Sequence, residues 1–276
     1  STKYWRILIG PWLGTFIQVL FDRWEMIQVA LNSKEQMYSI TINRDQQKFV
    51  PNDMKEFYNL IITDEWNQYI YETILIYTKN IHLIKIKTTT DIDIDINIEK
   101  ESLLKKLYTS IIKYLTPSSS PFFLNSYFSK IDELKLGMKN KFIPHFFNLK
   151  KLKKYDVDIK KRMFTIEHKR ENKFDFFLLN IIVSQIPKVY LEGFRSLAHE
   201  VNSLKWQKNP KFIFSSNSFW LDDLFKYYTI KNKFNNIPLY TGQHGGNFGV
   251  AKLNWQELHQ LAISDKFISW GWSNKK

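Results

Sequence analysis

The last third of the chain alternates short apolar runs with helical patterns at regular spacing. Three apolar runs have the length of strands, at residues 211–216, 237–241 and 266–272. The segments between them, FWLDDLFKYYTIKNK and WQELHQLAI, carry apolar residues at helical spacing. The order strand, helix, strand, helix, strand is typical of a parallel, doubly wound sheet. The expected fold class is therefore α/β, with a Rossmann-like parallel sheet and flanking helices.

The first part of the chain gives weaker signals. The apolar run that ends at Gly10 is strand-like, and a helical pattern follows Pro11. Residues 38–43 and 81–90 are expected to be strands, and residues 100–115 form an amphipathic helical pattern.

A stretch rich in Ser and Pro, TPSSSP at residues 116–121, is the clearest linker signal in the chain. A helix is expected after it, over residues 122–138. Ser218 is the expected N-cap of the helix that follows the run at 211–216. The predicted division is an N-terminal α/β part, a linker with a basic helical segment, and a βαβαβ segment with a glycine loop, at residues 1–115, 116–180 and 181–276.

Composition narrows the possible functions. The 276 residues carry a formal net charge of +13 and include no cysteine. Disulfides and Cys-ligated metal centres are therefore excluded. A basic surface favours polyanionic partners such as nucleic acid, anionic lipid or phosphorylated substrates. The densest basic stretch, residues 148–162, is typical of a solvated face, with a membrane or nucleic-acid patch as the alternative.

Four of the nine glycines fall in one short stretch, GQHGGNFG at residues 242–249. Because this stretch follows a predicted strand, we expect it at the edge of the sheet where ligands bind. His244 has the chemistry to bind an anion or act as an acid or base, while Gln243 and Asn247 can hydrogen-bond a sugar or a base. The alternative is a tight structural crossing with an incidental histidine. The glycines expected to let a ligand approach the backbone are Gly242, Gly245 and Gly246.

Other polar residues are weaker candidates. Asn217 follows a predicted strand, so it either faces the same crevice or caps a helix. Glu192 and Arg195 are spaced i, i+3, which suits a structural ion pair; in the alternative, Glu192 is a catalytic base and Arg195 a substrate-binding residue. Asp22 and Arg23 form a second candidate pair, either functional or structural.

The alternating stretch DIDIDINI at residues 91–98 contains D-x-D, a pattern found in metal-dependent sugar transferases. Alternation with isoleucine is better explained by one solvated face of a strand. We therefore expect no metal site here.

Several segments together resemble one family. They are YWRILIGPWL followed by DRW, IPKVYLEGF, PKFIFSSNSFWLDDLFKYY, GQHGGNFG and ISDKFISWGW. They are similar to transferases of bacterial surface-polysaccharide and O-antigen gene clusters, over the first 30 residues and roughly residues 180–272. The matching positions include Glu192, Asn217, Asp22, Arg23 and the residues from Gly242 to Asn247.

The resemblance implies a glycosyltransferase-like enzyme with two Rossmann-type domains, the GT-B architecture. Such an enzyme uses a nucleotide-activated sugar, a glycan or lipid-linked acceptor, and no metal or other cofactor. It implies a cytoplasmic protein, peripheral at the inner face of the membrane. It also implies that this chain is one part of a longer protein and is inactive alone. The working hypothesis is that His244 contacts a charged group of the ligand and that Glu192 is the base.

Three other functions are compatible with the sequence. The charge and the aromatic content suit a protein that binds nucleic acid, although no nucleic-acid motif is present and no such partner is expected. A non-catalytic protein that binds an anionic membrane surface is the second alternative. A different nucleotide-using α/β enzyme is separated from the glycosyltransferase only by the family resemblance.

Overall fold

The computed structural model describes residues 2–33, 38–42, 45–78, 82–86, 116–143, 151–167, 169 and 171–273. The helices in these ranges are α1 (Thr2–Asn32), α2 (Met54–Leu60), α3 (Asp64–Thr78), α4 (Lys130–Asn140), α5 (Lys173–Gln185), α6 (Lys188–Leu191), α7 (Phe194–Ser203), α8 (Ser218–Leu221), α9 (Asp223–Phe234) and α10 (Trp255–Ile263). Short 3-10 helices span Gln46–Phe49 and Ile159–Arg162.

The strands in the described ranges are all short. They are β1 (Tyr38–Ile42), β2 (His82–Ile86), β3 (Phe122–Phe123), β4 (Ile213–Ser215), β5 (Leu239–Gly242) and β6 (Lys266–Ile268). Strands are therefore confirmed within the expected ranges 38–43, 81–90, 211–216, 237–241 and 266–272, and β5 also includes Gly242. The predicted strand at 91–98 and the predicted helix at 100–115 lie outside the described residues.

Contacts divide the chain into two compact units, and each unit is built from separate segments of sequence. Unit 1 contains Ser1–Pro11, Asn97–Leu152 and Arg195–Lys276, and unit 2 contains Trp12–Ile96 and Lys153–Phe194. The three consecutive segments proposed from the sequence stay a prediction.

Unit 1 holds a parallel sheet with the strand order β3-β4-β5-β6. Each strand pairs in parallel with the next, so that Phe123 lies opposite Phe214 and Phe214 opposite Tyr240. The predicted α/β class, with a parallel sheet and flanking helices, is confirmed. The four strands lie in sequence order, so the reversal that defines a doubly wound sheet does not occur among them.

Aromatic side chains cover both faces of this sheet where β3 joins it. Successive strand residues point to opposite faces. The Phe122 ring therefore packs on Tyr228, with centroids 4.8 Å apart, while the Phe123 ring stacks on Phe142, also at 4.8 Å. The helix predicted over 122–138 is wrong in its first part, because a strand buried on both faces shows no alternation that separates it from a helix. Helix α4 begins only after Ser129, whose side chain caps it.

The helix predicted after β4 is two helices. The Asp222 side chain accepts a hydrogen bond from the Phe225 amide at 3.0 Å and caps α9. Ser218 is not the N-cap: it is the first residue of α8, and its amide donates to the Ser215 hydroxyl at 2.8 Å. A capping carboxylate inside the apolar pattern therefore splits the predicted helix.

Helix α1 contradicts the strand expected before Pro11, because the helix is continuous from Thr2 to Asn32. A proline inside a helix costs about 3 kcal/mol. Buried residues at helical spacing on both sides of Pro11 offset this cost: Ile7, Leu8, Trp12, Phe16, Leu20 and Trp24.

Unit 2 combines the parallel pair β1-β2 with helices packed through aromatic side chains. Trp24 of α1 stacks on Phe177 of α5 with centroids 5.3 Å apart. Phe57 of α2 lies at 6.4 Å from both Phe16 and Trp66, which links α1, α2 and α3. The aromatic residues that are abundant in the sequence therefore form the core of this unit.

Among the helices of the described ranges, none has the length and apolar character needed to cross a membrane.

Candidate functional site

Three polar side chains meet at the carboxyl ends of neighbouring strands in unit 1. They are Tyr127 after β3, Asn217 after β4 and His244 after β5, and we call them the strand-end cluster. The Asn217 side-chain amide donates to the Tyr127 hydroxyl at 2.8 Å. The Tyr127 ring stands edge-on to the His244 ring, with centroids 6.3 Å apart. The cluster thus occupies the edge of a parallel sheet where α/β proteins bind ligands.

Tyr127 reaches this position through an unusual backbone. Its φ is +62°, and Asn125 nearby has φ +50°. A bulky residue in this region is strained, and such strain persists only when surrounding contacts hold it. Here Ser216 supplies those contacts: its amide donates to the Asn125 carbonyl at 3.0 Å and its hydroxyl to the Ser126 carbonyl at 2.8 Å. The Tyr127 side chain is still 59% exposed, so the strain presents an aromatic ring to solvent.

Gln243 holds the glycine loop in place. Its side-chain oxygen accepts hydrogen bonds from the Trp270 amide and the Trp272 indole, both at 2.8 Å. Its side-chain nitrogen donates to the Phe248 carbonyl at 3.2 Å, and the residue is only 7% exposed. This geometry ties the loop to the segment after β6 and favours a structural role for Gln243.

The four glycines of the loop divide into two kinds. A Cβ at Gly242 would lie 2.6 Å from the Ser216 hydroxyl oxygen. A Cβ at Gly249, where φ is +75°, would lie 2.6 Å from the Trp272 indole nitrogen. Close packing therefore explains Gly242 and Gly249. In contrast, a Cβ at Gly245 or Gly246 would meet nothing within 4 Å. Gly246 has φ +83°, whereas Gly245 has neither a positive φ nor a close neighbour, so the fold does not require glycine there.

The loop is also braced on helix α10. The Asn254 side chain caps α10 through the Glu257 amide at 3.2 Å and donates to the Gly246 carbonyl at 2.8 Å. The Glu257 carboxylate in turn accepts from the Gly249 amide at 2.9 Å. The exposed tip is therefore held at both ends while Asn247, with φ +65°, turns the chain.

His244 is a neutral side chain at neutral pH. It is half-buried against the Phe248 ring, with centroids 4.3 Å apart. This burial lowers the pKa of His244 below its usual 6.5, and a hydrogen bond with the Gly245 backbone opposes the shift only in part. A neutral imidazole offers one N–H donor and one acceptor nitrogen, so it can hydrogen-bond an anion or take up a proton.

Glu192 lies in unit 2 and is fully engaged in an ion pair with Arg162. Its two oxygens accept from Nε and Nη2 of Arg162 at 2.7 and 2.8 Å, and one of them also accepts from the Asp158 amide at 3.1 Å. The side chains of Arg162 and Glu192 are 7% and 5% exposed. The partner is thus Arg162 and not Arg195, which corrects the expected i, i+3 pair; Arg195 lies in unit 1 and is exposed.

Arg162 also closes the carboxyl end of helix α5. Its remaining donors reach the carbonyls of Val183, Ser184 and Ile186 at 3.0, 3.2 and 2.9 Å. These carbonyls have no partner inside a helix, and a cation near them is favourable. The geometry therefore favours the structural alternative for Glu192, which neutralises the capping arginine.

Asp22 and Arg23, both in unit 2, form an ion pair on helix α1. The Arg23 side chain also donates through Nε to the Asn67 side chain of α3 at 2.9 Å. Asp22 is mostly exposed. These contacts join two helices and require no ligand.

The structure brings together Asn217 and the glycine loop, and it adds Tyr127, which sequence analysis missed. The two-residue strand β3 was interpreted as part of a helix, so nothing indicated that Tyr127 follows a strand. Arg162 was missed because it was counted with the solvated basic run at 148–162. The lysines of that run within residues 151–162 are exposed, as predicted, but its last residue is buried.

Comparison with known proteins gives one match. A family model described as "LIC12162 family transferase" matches residues 1–276. The chain therefore belongs to this transferase family. No curated protein and no solved structure matches it.

Proposed function

We propose, from the premise that the chain belongs to the LIC12162 transferase family, that it takes part in the transfer of a glycosyl group as a portion of a longer enzyme. In this proposal the donor is a nucleotide-activated sugar and the acceptor is a glycan or a lipid-linked glycan of bacterial surface polysaccharide, such as O-antigen or capsule. The donor binds at the strand-end cluster and the tip of the glycine loop. A GT-B-like architecture, a cytoplasmic location and peripheral contact with an anionic membrane belong to the same proposal, and no metal is needed.

The observation that carries the proposal is the open tip of the glycine loop. Gly245 has neither a close neighbour nor a positive φ, so the space beside it is open to a ligand. The backbone N–H groups of Gly245 and Gly246 donate no hydrogen bond to any part of the chain that the structure describes. Successive free N–H groups at a turn of this kind form a concave site for an anion. A phosphate of the donor has the charge and the acceptor oxygens that these donors need.

The strand-end cluster supplies the remaining contacts. The neutral imidazole of His244 donates a hydrogen bond to a phosphate oxygen, and the exposed Tyr127 ring offers a face on which a base or a sugar ring packs. Asn217 orients the Tyr127 hydroxyl. In the transfer itself an acceptor hydroxyl oxygen bonds to the anomeric carbon, the bond from that carbon to the donor phosphate breaks, and the nucleotide leaves with its bonding electrons. The base role of Glu192 is not carried into this proposal, because Arg162 binds both of its oxygens.

The test is calorimetric titration of the folded chain with CMP-, UDP-, GDP- and dTDP-sugars. We expect saturable binding of one nucleotide class in the range of about 1 µM to 1 mM that is typical for enzyme substrates. His244→Ala should weaken this binding at least tenfold, whereas His199→Ala, which removes an exposed histidine of helix α7, should not. No binding of any donor, or equal binding by the wild type and His244→Ala, contradicts the proposal.

A further inference from the structure

A second concave site lies within unit 2, between the 3-10 helix Gln46–Phe49 and helix α3. It is a small cleft that is partly open to solvent, so a ligand lies against its lining with one side exposed. The 3-10 helix follows the carboxyl end of β1 closely, so the cleft has the position that ligand sites occupy in parallel sheets.

One face of helix α3 forms the floor of the cleft. Glu65, Tyr69, Glu72 and Ile76 follow one another at spacings of three or four residues, as neighbours on a helix surface do. The opposite face of α3 is fully buried and builds the core of unit 2, through Trp66, Ile70 and Ile74. The packing of this core therefore comes mainly from the face of α3 that lies away from the cleft.

The lining of the cleft is acidic and amidic in a chain whose formal net charge is +13. Two carboxylates, Glu65 and Glu72, and two amides, Gln46 and Gln68, line it together with the Thr73 hydroxyl, and the described residues that line it include no Lys, Arg or His. The carboxylates repel phosphate and other anions. They are strong acceptors for hydroxyl groups, while the amides both donate and accept. The lining therefore fits a ligand with several hydroxyl groups and no negative charge.

Part of this polar lining is fixed and part is free. The Tyr69 ring stacks on Phe49 with centroids 4.7 Å apart, and its hydroxyl accepts from the Gln185 side chain at 3.5 Å. Glu72 accepts a hydrogen bond from the Thr41 hydroxyl. In contrast, the side chains of Glu65 and Gln46 have no hydrogen-bond or ion-pair partner in the part of the chain that the structure describes. A rigid wall with two free polar groups is suited to bind a small polar molecule.

We infer that this cleft binds a sugar ring that has free hydroxyl groups and no acidic group. The carboxylates of Glu65 and Glu72 accept hydrogen bonds from ring hydroxyls. The side-chain amides of Gln46 and Gln68 make further hydrogen bonds with these hydroxyls. Phe49 and Ile76 supply apolar contact for the C–H face of the ring. The site does not depend on the strand-end cluster. Only the assignment of the bound sugar as part of the acceptor glycan rests on the proposed function.

The inference is tested by saturation-transfer NMR and titration of the full chain, without nucleotide. The probes are the methyl glycosides of glucose, galactose, mannose and N-acetylglucosamine, with glucuronic acid as the acidic comparison. We expect at least one neutral glycoside to bind with a dissociation constant of the order of millimolar or tighter, and glucuronic acid to bind at least tenfold more weakly. Binding of glucuronic acid as strong as that of the neutral sugars, or no binding of any glycoside, overturns the inference.

Matched variants assign the binding to the cleft. Glu65→Ala and Gln46→Ala remove side chains without partners in the described residues, so the urea midpoint should stay close to that of the wild type, with a small decrease for Glu65→Ala because Glu65 lies in the first turn of α3; each variant should weaken glycoside binding at least fivefold. Glu25→Ala, which removes an exposed carboxylate of helix α1, is the control and should bind like the wild type. Unchanged affinity in both cleft variants refutes the assignment. Because His244→Ala should leave glycoside binding intact, failure here and failure of the donor site are read from separate experiments.

Discussion

The Arg162–Glu192 pair and the strand-end cluster contain the two residues that the sequence marks as the best catalytic candidates, Glu192 and His244. The structure treats them in opposite ways. Glu192 gives both oxygens to Arg162 and is 5% exposed. His244 lies beside Gly245 and Gly246, whose N–H groups donate to no group in the described part of the chain and where an added Cβ would meet nothing within 4 Å. The first arrangement is closed to a ligand, and the second is open to one.

The difference shows that burial of a charged residue is not evidence of function by itself. The Arg162–Glu192 pair solves a structural problem, because Arg162 caps helix α5 and Glu192 balances its charge. The strand-end cluster and the adjacent glycine loop have no comparable structural role: Tyr127 has a left-handed backbone, and the fold does not require glycine at Gly245, yet both lie at an exposed edge of the sheet. Polar groups and conformations that the fold does not require are the better guide to a binding site.

The largest expected change in stability comes from breaking the Arg162–Glu192 ion pair. Arg162→Met leaves the buried Glu192 without its ion-pair partner, and the loss of one member of a buried ion pair typically costs about 3–5 kcal/mol of unfolding free energy. Urea denaturation followed by circular dichroism measures it. Lys169→Met, in an ion pair whose side chains are 82% and 64% exposed, is the control and should cost less than about 1 kcal/mol. If both variants lose the same stability, the pair is not the structural element described here.

A second prediction compares His244 with a buried histidine of the same unit. His259 is 1% exposed, and burial lowers its pKa to about 4, while its Nε2 lies 2.9 Å from the Arg6 carbonyl oxygen. Between pH 6.5 and about 4 the unfolded chain binds a proton at His259 that the folded chain does not. The lowered pKa of His259 therefore stabilises the folded chain fully above pH 6.5. This stabilisation declines as the pH falls, by about 3 kcal/mol of unfolding free energy in all at 1.36 kcal/mol per pKa unit.

Asp222 has the opposite effect on the pH dependence of stability over a similar pH range, because burial raises its pKa to about 7. Its contribution is present at low pH and is lost as the pH rises toward 7. The contribution of His259 is separated from that of Asp222 by comparing the unfolding free energies of the wild type and His259→Gln at each pH. The difference between these two free energies should become smaller as the pH falls from 6.5 to 4. A gap that is constant with pH would mean that His259 titrates alike in the folded and unfolded chain. For His244→Gln the narrowing should be smaller, because His244 is only half-buried.

A third prediction separates the two kinds of glycine. Gly249→Ala forces a side chain into a left-handed conformation and against Trp272, which should cost about 1–3 kcal/mol. Gly245→Ala meets neither obstacle, so its stability should stay within about 0.5 kcal/mol of the wild type. It should nevertheless weaken donor binding, because the new methyl group enters the ligand space. Thermal unfolding and calorimetry on the same samples measure both effects, and a Gly245→Ala protein that binds normally argues against a ligand at this tip.

The smallest effect is expected at the surface pair on helix α1. Asp22→Asn removes the charge of a carboxylate that is 60% exposed, so the change in unfolding free energy should be below about 1 kcal/mol. Donor binding should not change either. A loss of donor affinity in Asp22→Asn would show that donor binding does not depend only on the strand-end cluster and the glycine loop.

The sequence was most informative where local pattern and fold agree. Strands β4, β5 and β6 are apolar runs bounded by helical patterns, and the glycine loop follows β5 as expected for a ligand-binding edge. It was least informative where the deciding contacts are distant. The two residues of β3 carry no period of their own, and they become a strand because β4 pairs with them. Without β3, nothing in the sequence indicates that Tyr127 follows a strand.

The same limit applies to Glu192 and Pro11. The partner of Glu192 lies 30 residues earlier in the chain, so a search for charges one helical turn away selected Arg195 instead. Pro11 was interpreted as a boundary because local sterics disfavour it inside a helix. Buried residues on both sides of it decide otherwise, and their burial is a property of the packed unit rather than of the segment.

The most direct test of the donor site is imidazole NMR during titration with the preferred nucleotide sugar. The chain has six histidines, so each ring can be assigned by single substitution. The account predicts a saturable shift of the His244 resonances at the affinity that calorimetry reports, with His259 and His199 unmoved. A saturated protein in which the His244 resonances do not move would contradict it.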